Sequence, residues 1–439
     1  MKALTRKLLR DLLLLKGQLV TIALVVACGV ASYVSAVGTF RSLSGSCDRY
    51  YESQRMADVF VTLDRAPESL SRRLEEISGV GSVYTRVVER ASFPMEGRVE
   101  PATGIVVSLP THGEPPLNGV LVRRGRMVDP ARSDEILVSE PFANANHLGP
   151  GDVLPVVLDG RRHDMRIAGT AMSPEYVFVM SGAMMSNDDR RFGVFWMTRG
   201  ALASAFRMEN SFNDVVIRLH KGASERAVLA SVDRLLEPYG GRGAVAREKQ
   251  ISNLMVQGEL KQLRGLGLVV PAIFLAVAAF LLNVVLARLV ELQRGQIAVL
   301  KALGYTGTAV ALHYLELIAV IVVVGSLLGV PLGVWVGQSW TAMYTPYFRF
   351  PDLGFRLDLD LVVVGVSVSV GAAAFGALRT VRSVARLPPA EAMSPPAPPT
   401  YGSSFVERLG LFRIVGAASR MILRDVLRQP LRTVMASVG

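Results

Sequence analysis

The sequence predicts an α-helical membrane protein with an α+β domain inserted between its first and second spans. Four apolar runs are each long enough to cross a bilayer. A long stretch from about Phe40 to Leu266 has the composition of a soluble domain, with turn signals between short apolar segments. Many of the 48 Lys and Arg residues stand beside the apolar runs, as is typical of membrane proteins.

The first apolar run, Leu19 to Val37, follows a strongly basic segment. That segment contains a single acid, Asp11, against Lys2, Arg6, Lys7, Arg10 and Lys16. A cleaved signal peptide is the alternative, since Val34-Ser35-Ala36 is an acceptable cleavage site. We favour a retained helix because the run is long for a signal core. In either case the basic flank stays in the cytoplasm and the following domain is exported.

The soluble stretch contains two similar strand–helix–strand units, which predict a split βαβ domain of ferredoxin-like type. Their segments are Asp58–Leu63, Pro67–Ile77, Val80–Val88 and then Asp214–Leu219, Ala223–Leu236, Gly243–Arg247. Between the units lies a β-rich insert, Asp134 to Ala171, with turns predicted at 149–152 and 159–160. Ala246 to Leu266 is expected to form a helical stalk that returns to the membrane.

Three further spans are predicted at Leu266–Leu286, Thr308 to about Val336, and Leu359–Leu378. In the third span of the chain, small residues recur every fourth position at Gly325, Gly329, Gly333 and Gly337. Such spacing lets another helix approach closely. The partner is either a helix of the same chain or a subunit interface near a gate, and both alternatives stay open.

A short segment between the second and third spans, RLVELQRGQIAVLKALGYT (Arg288 to Thr306), predicts an amphipathic helix at the membrane surface. Ile297, Leu300 and Gly304 recur at helical spacing within it. Gly304 suits the position that ends the helix, and Thr306 can cap the span that follows. A force applied to this helix from the cytosol would pass directly into two membrane spans.

The same segment resembles the coupling helix of the FtsX-like (MacB/LolC/LolE-type) permeases of ATP-binding-cassette systems. The family pattern is approximately E-x-x-x-E-I-x-I-L-K-A-L-G, and Gln296 stands at its second acidic position. LPPAEAM (Leu387 to Met393) is similar to the family's L-x-P-x-E-A-L signature, and the β-rich insert resembles the MacB-like periplasmic domain.

This resemblance implies a permease subunit that transmits ATPase-driven motion to a periplasmic domain, for export or extraction of hydrophobic, lipid-linked or peptide substrates. The ATPase-coupling residues that it implies are Arg294, Gln296, Ile297, Leu300, Lys301, Leu303 and Gly304. The implied partners are an ABC ATPase subunit, membrane lipid, a second permease half or an identical copy, and a periplasmic adaptor. The implied location is the bacterial inner membrane with the N-terminus in the cytoplasm.

The expected domain organisation has five parts. Residues 1–40 form the N-terminal segment and first span, 41–265 the extracytoplasmic domain, and 266–386 the permease domain with its coupling helix at 291–304. Residues 387–404 form a Pro-rich linker, and 405–439 an amphipathic helix with the start of a fifth span. LRDVL (Leu423 to Leu427) repeats LRDLL (Leu9 to Leu13), so we expect the N-terminal half of a double-length permease. A standalone four-span half is the alternative.

The sequence shows no catalytic or metal-binding constellation. It contains no G-x-x-x-x-G-K-[ST] phosphate loop, so no cofactor is expected in this chain and ATP would be bound by the partner ATPase. The five His residues have no zinc-site spacing. We interpret His163-Asp164 as a solvated strand edge, Asp188-Asp189 as part of a charged loop, and Glu316 as an ion-pair partner of Arg288 or Lys301.

Two other classes of function stay open. One is a signalling or scaffold protein of FtsX type, which would regulate a cell-wall hydrolase without transport. The other is a membrane-anchored enzyme with its site in the exported domain, which the missing catalytic motifs disfavour. The net charge of +11 does not indicate nucleic-acid binding, because the basic residues cluster beside the apolar runs.

Overall fold

The structure is a computed structural model that describes residues 2–95, 97–179 and 188–386. The chain divides into two compact units. Of the described residues, 2–34, 268–333 and 359–386 belong to the helical unit, and those between 35 and 267 together with 334–358 belong to the α+β unit. The predicted linker at 387–404, the LPPAEAM signature and the predicted fifth span lie outside the described residues. The expected domain boundaries stay predictions.

The long helices lie toward the two ends of the chain, and the strands lie between them. In chain order they are α1 (Lys2–Leu14), α2 (Lys16–Ser53), β1 (Val59–Pro67), α3 (Leu70–Glu75), β2 (Val80–Arg86), β3 (Val88–Phe93), β4 (Ala102–Leu109), β5 (Leu121–Gly125), β6 (Glu135–Ser139), α4 (Glu140–Ala145), β7 (Val153–Leu158), β8 (Arg161–Met172), β9 (Phe192–Thr198), α5 (Arg199–Ala205), β10 (Ser211–Leu219), α6 (Glu225–Leu236), β11 (Val245–Ala246), α7 (Ile251–Leu292), α8 (Arg294–Ala302), α9 (Gly307–Tyr344) and α10 (Leu359–Arg386).

Four of these helices, α2, α7, α9 and α10, are long and apolar enough to cross a membrane. They confirm the four predicted spans. All four are longer than the apolar runs that predicted them, and α2, α7 and α9 each contribute residues to both units. The predicted stalk from Ala246 to Leu266 is largely the first part of α7, because the helical backbone continues without a break into the apolar run.

The two strand–helix–strand units form one four-stranded sheet in the order β11-β1-β10-β2. All three pairings are antiparallel, with Val59 opposite Ile217 and Arg86 opposite Asp214. Residues of α3 and α6 share a buried core with this sheet. This is the strand order of a split βαβ fold, and it confirms the ferredoxin-like prediction.

One element of this sheet differs from its prediction. The helix expected from Pro67 begins only at Leu70, because β1 continues past a bulge between Thr62 and Ala66. Beyond that bulge, Ala66 and Pro67 still pair with β10. The backbone there makes hydrogen bonds within the sheet. In the predicted first turn of a helix, the same N–H groups would have had no partner within that helix.

The β-rich insert forms a second sheet of seven strands in the order β5-β8-β6-β9-β4-β3-β7. An additional pairing between β7 and β8 joins the two sides of this sheet, so the strands from β8 to β7 close on themselves. Its core includes Phe93 and Phe195, whose rings stack with centroids 3.8 Å apart. The predicted turn at Asp159-Gly160 is confirmed, with both residues at positive φ between β7 and β8.

Candidate functional site

The short helix α8 lies between two membrane-length helices, as the sequence predicts. It ends in a Schellman motif, in which the Gly304 amide donates to the Lys301 carbonyl and the Tyr305 amide to the Leu300 carbonyl. Gly304 has φ +93°, a conformation that favours glycine. Thr306 then caps α9, since its hydroxyl accepts a hydrogen bond from the Ala309 amide over 3.2 Å. One helix therefore ends and the next begins within a few residues.

One face of α8 is buried in the helical unit and the other is exposed. Ile297 and Ala298 are 0% exposed. Apolar residues remain accessible on the exposed side of α8 and just before it, namely Leu292 (72% exposed), Val299 (51%) and Leu303 (72%). Val299 and Leu303 are four residues apart at the end of α8, which places them on one side of that helix, whereas Leu292 is the last residue of α7. We call Leu292, Val299 and Leu303 the α8 stripe.

The implied ATPase-coupling residues fall on different faces of α8. Gln296, Leu303 and Gly304 are exposed, and Arg294, Leu300 and Lys301 are half-buried. Ile297 points into the helical unit, so its side chain is not accessible to another protein. The sequence interpretation did not single out Leu292 and Val299. Their spacing from Leu303 is visible in the sequence, but the side of the helix that is buried is not.

The start of α8 is fixed by a buried polar cluster that includes residues from α1 and α9. The Gln293 side-chain amide (Nε2) donates to Asp11 Oδ1 over 2.9 Å, and the Tyr314 hydroxyl donates to Gln293 Oε1 over 3.2 Å. His313 Nε2 lies 3.4 Å from Asp11 Oδ2. The Lys7 ammonium forms an ion pair with Asp11 and also donates to Gln293 Oε1. We call these five residues the Asp11 cluster.

The electrostatics of this cluster hold Asp11 as a carboxylate. Burial by itself would raise the pKa of Asp11, because the charged form loses water. The hydrogen bonds from His313, Lys7 and Gln293, together with the positive charge of Lys7, outweigh that effect and lower the pKa to about 2. At neutral pH the carboxylate therefore accepts hydrogen bonds both from the residue that precedes α8 and from the lysine of its own helix.

The other end of α8 is joined to α10. The Lys301 ammonium donates to the backbone carbonyls of Val384, over 2.8 Å, and Ala385, over 3.2 Å. A cation at the last carbonyls of a helix is favourable, because it satisfies acceptors that have no partner within that helix. Burial lowers the pKa of Lys301. Gly307, the first residue of α9, approaches the same end of α10 so closely that an added Cβ would lie 2.4 Å from the Ala385 carbonyl.

Gly325, Gly329 and Gly333 of α9, which we call the glycine stripe, pack against α2 of the same chain. A Cβ added at Gly325, Gly329 or Gly333 would lie 2.7–2.8 Å from a backbone carbonyl oxygen of α2, at Ala23, Ala27 and Ala31 respectively. Gly337, in the α+β unit, faces the ring of Phe355 instead. Of the two alternatives left open by the sequence, the structure thus supplies a partner helix within the chain.

The remaining sequence candidates are structural or surface residues. Glu316 is exposed and makes no ion pair with any residue in the described ranges, since Lys301 is directed to α10. Asp189 pairs with Arg349 in the α+β unit, and burial raises the pKa of Asp189. His163 lies at an exposed position of β8. Within residues 2–95, 97–179 and 188–386, no group of three or more His, Cys, Asp or Glu is arranged to hold a metal ion.

The comparisons with known proteins connect this arrangement to a permease family. Residues 268–389 match the family model described as "FtsX-like permease C-terminal". This match confirms the FtsX-like resemblance in the segment that contains α8, α9 and α10. No curated protein sequence matches the chain.

Solved structures similar to this chain include three domains of transporters or permeases. The extracellular domain of the noncanonic ABC-type transporter YknZ from Gram-positive bacteria shows 12% identity over 43% of this chain and 98% of that chain, with a TM-score of 0.28. The periplasmic region of MacB from Actinobacillus actinomycetemcomitans shows 8% identity over 48% and 95%, with a TM-score of 0.30. A domain of a putative permease protein from Porphyromonas gingivalis shows 10% identity over 46% and 96%, with a TM-score of 0.26.

Proposed function

We propose, from the FtsX-like permease C-terminal domain in residues 268–389, that this multi-pass membrane protein is the permease subunit of an ABC transporter. A separate ATPase docks on α8, and its ATP-driven closure moves the membrane helices. The motion serves to export or extract hydrophobic, lipid-linked or peptide substrates. The permease pairs with a second permease half or with a copy of itself.

The observation that carries the proposal is the exposed α8 stripe. Val299 and Leu303, together with Leu292 just before the helix, present apolar surface, while Ile297 and Ala298 of α8 are buried. Apolar anchors on a short helix are suited to insertion into a groove of a partner protein. Gln296 lies among them and its side chain accepts a hydrogen bond from Arg10 over 3.4 Å, so the docking face is also in contact with α1.

The contacts of α8 explain how docking would move the membrane part of the protein. It is joined by the chain to α7 and α9, by the Asp11 cluster to α1, and by Lys301 to α10. A displacement of α8 therefore reaches four neighbouring helices. Since α7 and α9 also contribute residues to the α+β unit, the same displacement is transmitted along continuous helices.

The basic residues support an orientation with α8 in the cytoplasm. Arg10 of α1 contacts Gln296, and Lys301 contacts the end of α10, which contains Arg386. The basic N-terminal segment, α8 and the basic end of α10 thus meet at one end of the helical unit. Basic residues at membrane boundaries are enriched on the cytoplasmic side.

Orientation is tested by cysteine labelling. A Gln296→Cys variant, made after Cys28 and Cys47 are replaced by Ser, should resist a membrane-impermeant maleimide in intact cells and react in inverted vesicles. Labelling of intact cells would place α8 outside the cytoplasm, where no ATPase could reach it.

Docking is tested by co-purification with the proposed ABC ATPase subunit. The double variant Val299→Asp, Leu303→Asp should lose the ATPase, because two carboxylates would be buried in the partner's groove. The matched control is Val99→Asp with Val153→Asp, which places the same charges on exposed positions of the α+β unit. Retention of the ATPase by the α8 variant, at the level of the control, would remove the docking proposal.

Transport and scaffolding differ in what stimulates the ATPase. In liposomes that contain the assembled complex, a lipopeptide or another hydrophobic substrate should raise the rate of ATP hydrolysis. Under the scaffold alternative, a cell-wall hydrolase would raise it and lipopeptides would not. No contact or charge in the described residues favours the scaffold alternative over transport.

A further inference from the structure

A groove between α7 and α10 is lined by apolar residues and ends in three arginines. The groove has a volume of about 1020 Å³. Its apolar lining includes Leu275, Ala279, Phe280, Val368 and Phe375, and its polar end is formed by Arg379, Arg382 and Arg386. All of these residues belong to the helical unit.

Small residues create this groove. At Gly376 the two helices touch, since an added Cβ would lie 2.4 Å from the Ala279 carbonyl. Phe375, next to this contact, is 79% exposed in the middle of a membrane-length helix. A groove of this kind opens toward the hydrocarbon part of the bilayer rather than toward water.

The dimensions of the groove match one leaflet. Its α7 side runs from Ala272 to Asn283, about 16 Å at the helical rise of about 1.5 Å per residue. The hydrocarbon core of a bilayer is about 30 Å thick, so the apolar part extends over about half of it. The Thr380 hydroxyl donates to Asn283 Oδ1 over 3.2 Å, which closes the apolar part where the arginines begin.

Among the residues described up to position 386, the three arginines at the polar end have no acidic partner. Arg379, Arg382 and Arg386 are exposed there and form no ion pair within that part of the chain. Their spacing of three and four residues directs them to one side of α10. Lys301 bonds Val384 and Ala385 at the same end of that helix, so the positive charge of this region is concentrated near α8.

We propose that this groove binds an anionic phospholipid of the leaflet next to α8, with an acyl chain along α7 and α10 and its phosphate at Arg379, Arg382 and Arg386. Arginine provides a fork of N–H donors that fits phosphate oxygens. Basic pockets at the end of membrane helices recognise anionic headgroups in this way. The site is distinct from the α8 stripe and does not depend on ATPase docking.

The test is lipid retention by the full-length protein, measured by native mass spectrometry in detergent without any ATPase. The probes are dioleoyl phosphatidylglycerol and dioleoyl phosphatidylcholine, which have the same acyl chains. The wild-type protein should retain phosphatidylglycerol with an affinity at least about tenfold higher than phosphatidylcholine, since each arginine near the surface adds attraction to an anionic lipid. The triple variant Arg379→Gln, Arg382→Gln, Arg386→Gln should lose that preference.

The matched control is Arg72→Gln, Arg73→Gln, Arg226→Gln, which removes the same charge from exposed positions of the α+β unit. It should keep the preference for phosphatidylglycerol. A second variant, Ala276→Trp, fills the apolar part and should weaken retention while the arginines stay in place. Equal retention of phosphatidylglycerol by the wild-type protein and the triple variant would overturn the proposal.

A photo-crosslinker at position 375 identifies the occupant of the groove directly. Benzoylphenylalanine in place of Phe375 should form an adduct with phosphatidylglycerol in nanodiscs that contain this lipid. An adduct with a second copy of the chain, or with residues 405–439 of the same chain, would show that protein covers the groove and would contradict the lipid site. Neither result bears on whether an ATPase binds α8.

Discussion

Asp11 accepts a hydrogen bond of 2.9 Å from Gln293, although the two residues are 282 positions apart in the chain. Asp11 is in the first helix, and Gln293 is the residue between α7 and α8. Both side chains are buried, and Lys7, His313 and Tyr314 complete the cluster. The helix that precedes the first membrane span is therefore fixed to the start of α8, the helix on which we propose that the ATPase docks.

Replacing Asp11 by Asn should destabilise the protein by about 2 kcal/mol. The variant removes the charge that compensates the buried Lys7 ammonium and leaves polar groups without their strongest acceptor. We expect a lower midpoint of thermal unfolding in detergent and weaker stimulation of the partner ATPase. The control is Glu316→Gln, which removes an exposed acid of α9 and should leave both measurements unchanged.

The contribution of Asp11 should disappear in acid. Its pKa is about 2 in the folded protein, below the ordinary value of 3.8, so folding favours the carboxylate. The stabilisation is complete above about pH 4 and is lost as the pH falls through about 2. The difference in stability between the wild-type protein and Asp11→Asn should therefore shrink between pH 5 and pH 2, to a first approximation by about 1.4 kcal/mol per pKa unit. A difference that stays constant over this range would show that the charge of Asp11 is not responsible.

Much of the fold follows from local sequence signals, whereas the site depends on distant contacts. The end of α8 and the start of α9 were predictable because Gly304 and Thr306 act within one turn of the chain. The buried face of α8 was not predictable. The spacing of the apolar residues indicates a helix but does not show whether Ile297 or Val299 faces the interior. The buried side is set by α1 and α10, and no pattern near Gln293 or Lys301 indicates partners 282 and 83 positions away.

The glycine stripe of α9 gives a matched pair of substitutions. Gly329→Ala should destabilise the protein by about 1–3 kcal/mol, because the new methyl group would lie 2.7 Å from the Ala27 carbonyl and the two backbones would have to separate. Gly371→Ala in α10 meets no atom within 4 Å and should be neutral or stabilising by up to about 1 kcal/mol. The measurement is the midpoint of thermal unfolding of each variant in the same detergent. Equal midpoints for the two would mean that α2 and α9 do not pack through Gly329.

In the α+β unit, Arg86 of β2 is held between two carboxylates and is only 3% exposed at its side chain. Its guanidinium donates to Asp214 Oδ1 over 2.6 and 2.8 Å and to the two oxygens of Glu175 over 2.6 and 3.0 Å. Burial raises the pKa of Asp214 even beside this arginine. The ion cluster joins β10 of the four-stranded sheet to the short helical turn that follows β8.

Arg86→Met should therefore cost about 3–5 kcal/mol at neutral pH, because two buried carboxylates would be left without a cation. The loss should become smaller in mild acid, since burial raises the pKa of Asp214 and its protonation relieves part of the uncompensated charge. Hydrogen exchange of peptides that cover β2 and β10, measured on the full-length protein, reports the loss locally. Arg162→Met, which breaks an exposed pair with Asp164, is the control and should change stability by less than about 1 kcal/mol. If the two variants exchange at the same rate in β2 and β10, the buried cluster does not stabilise this unit.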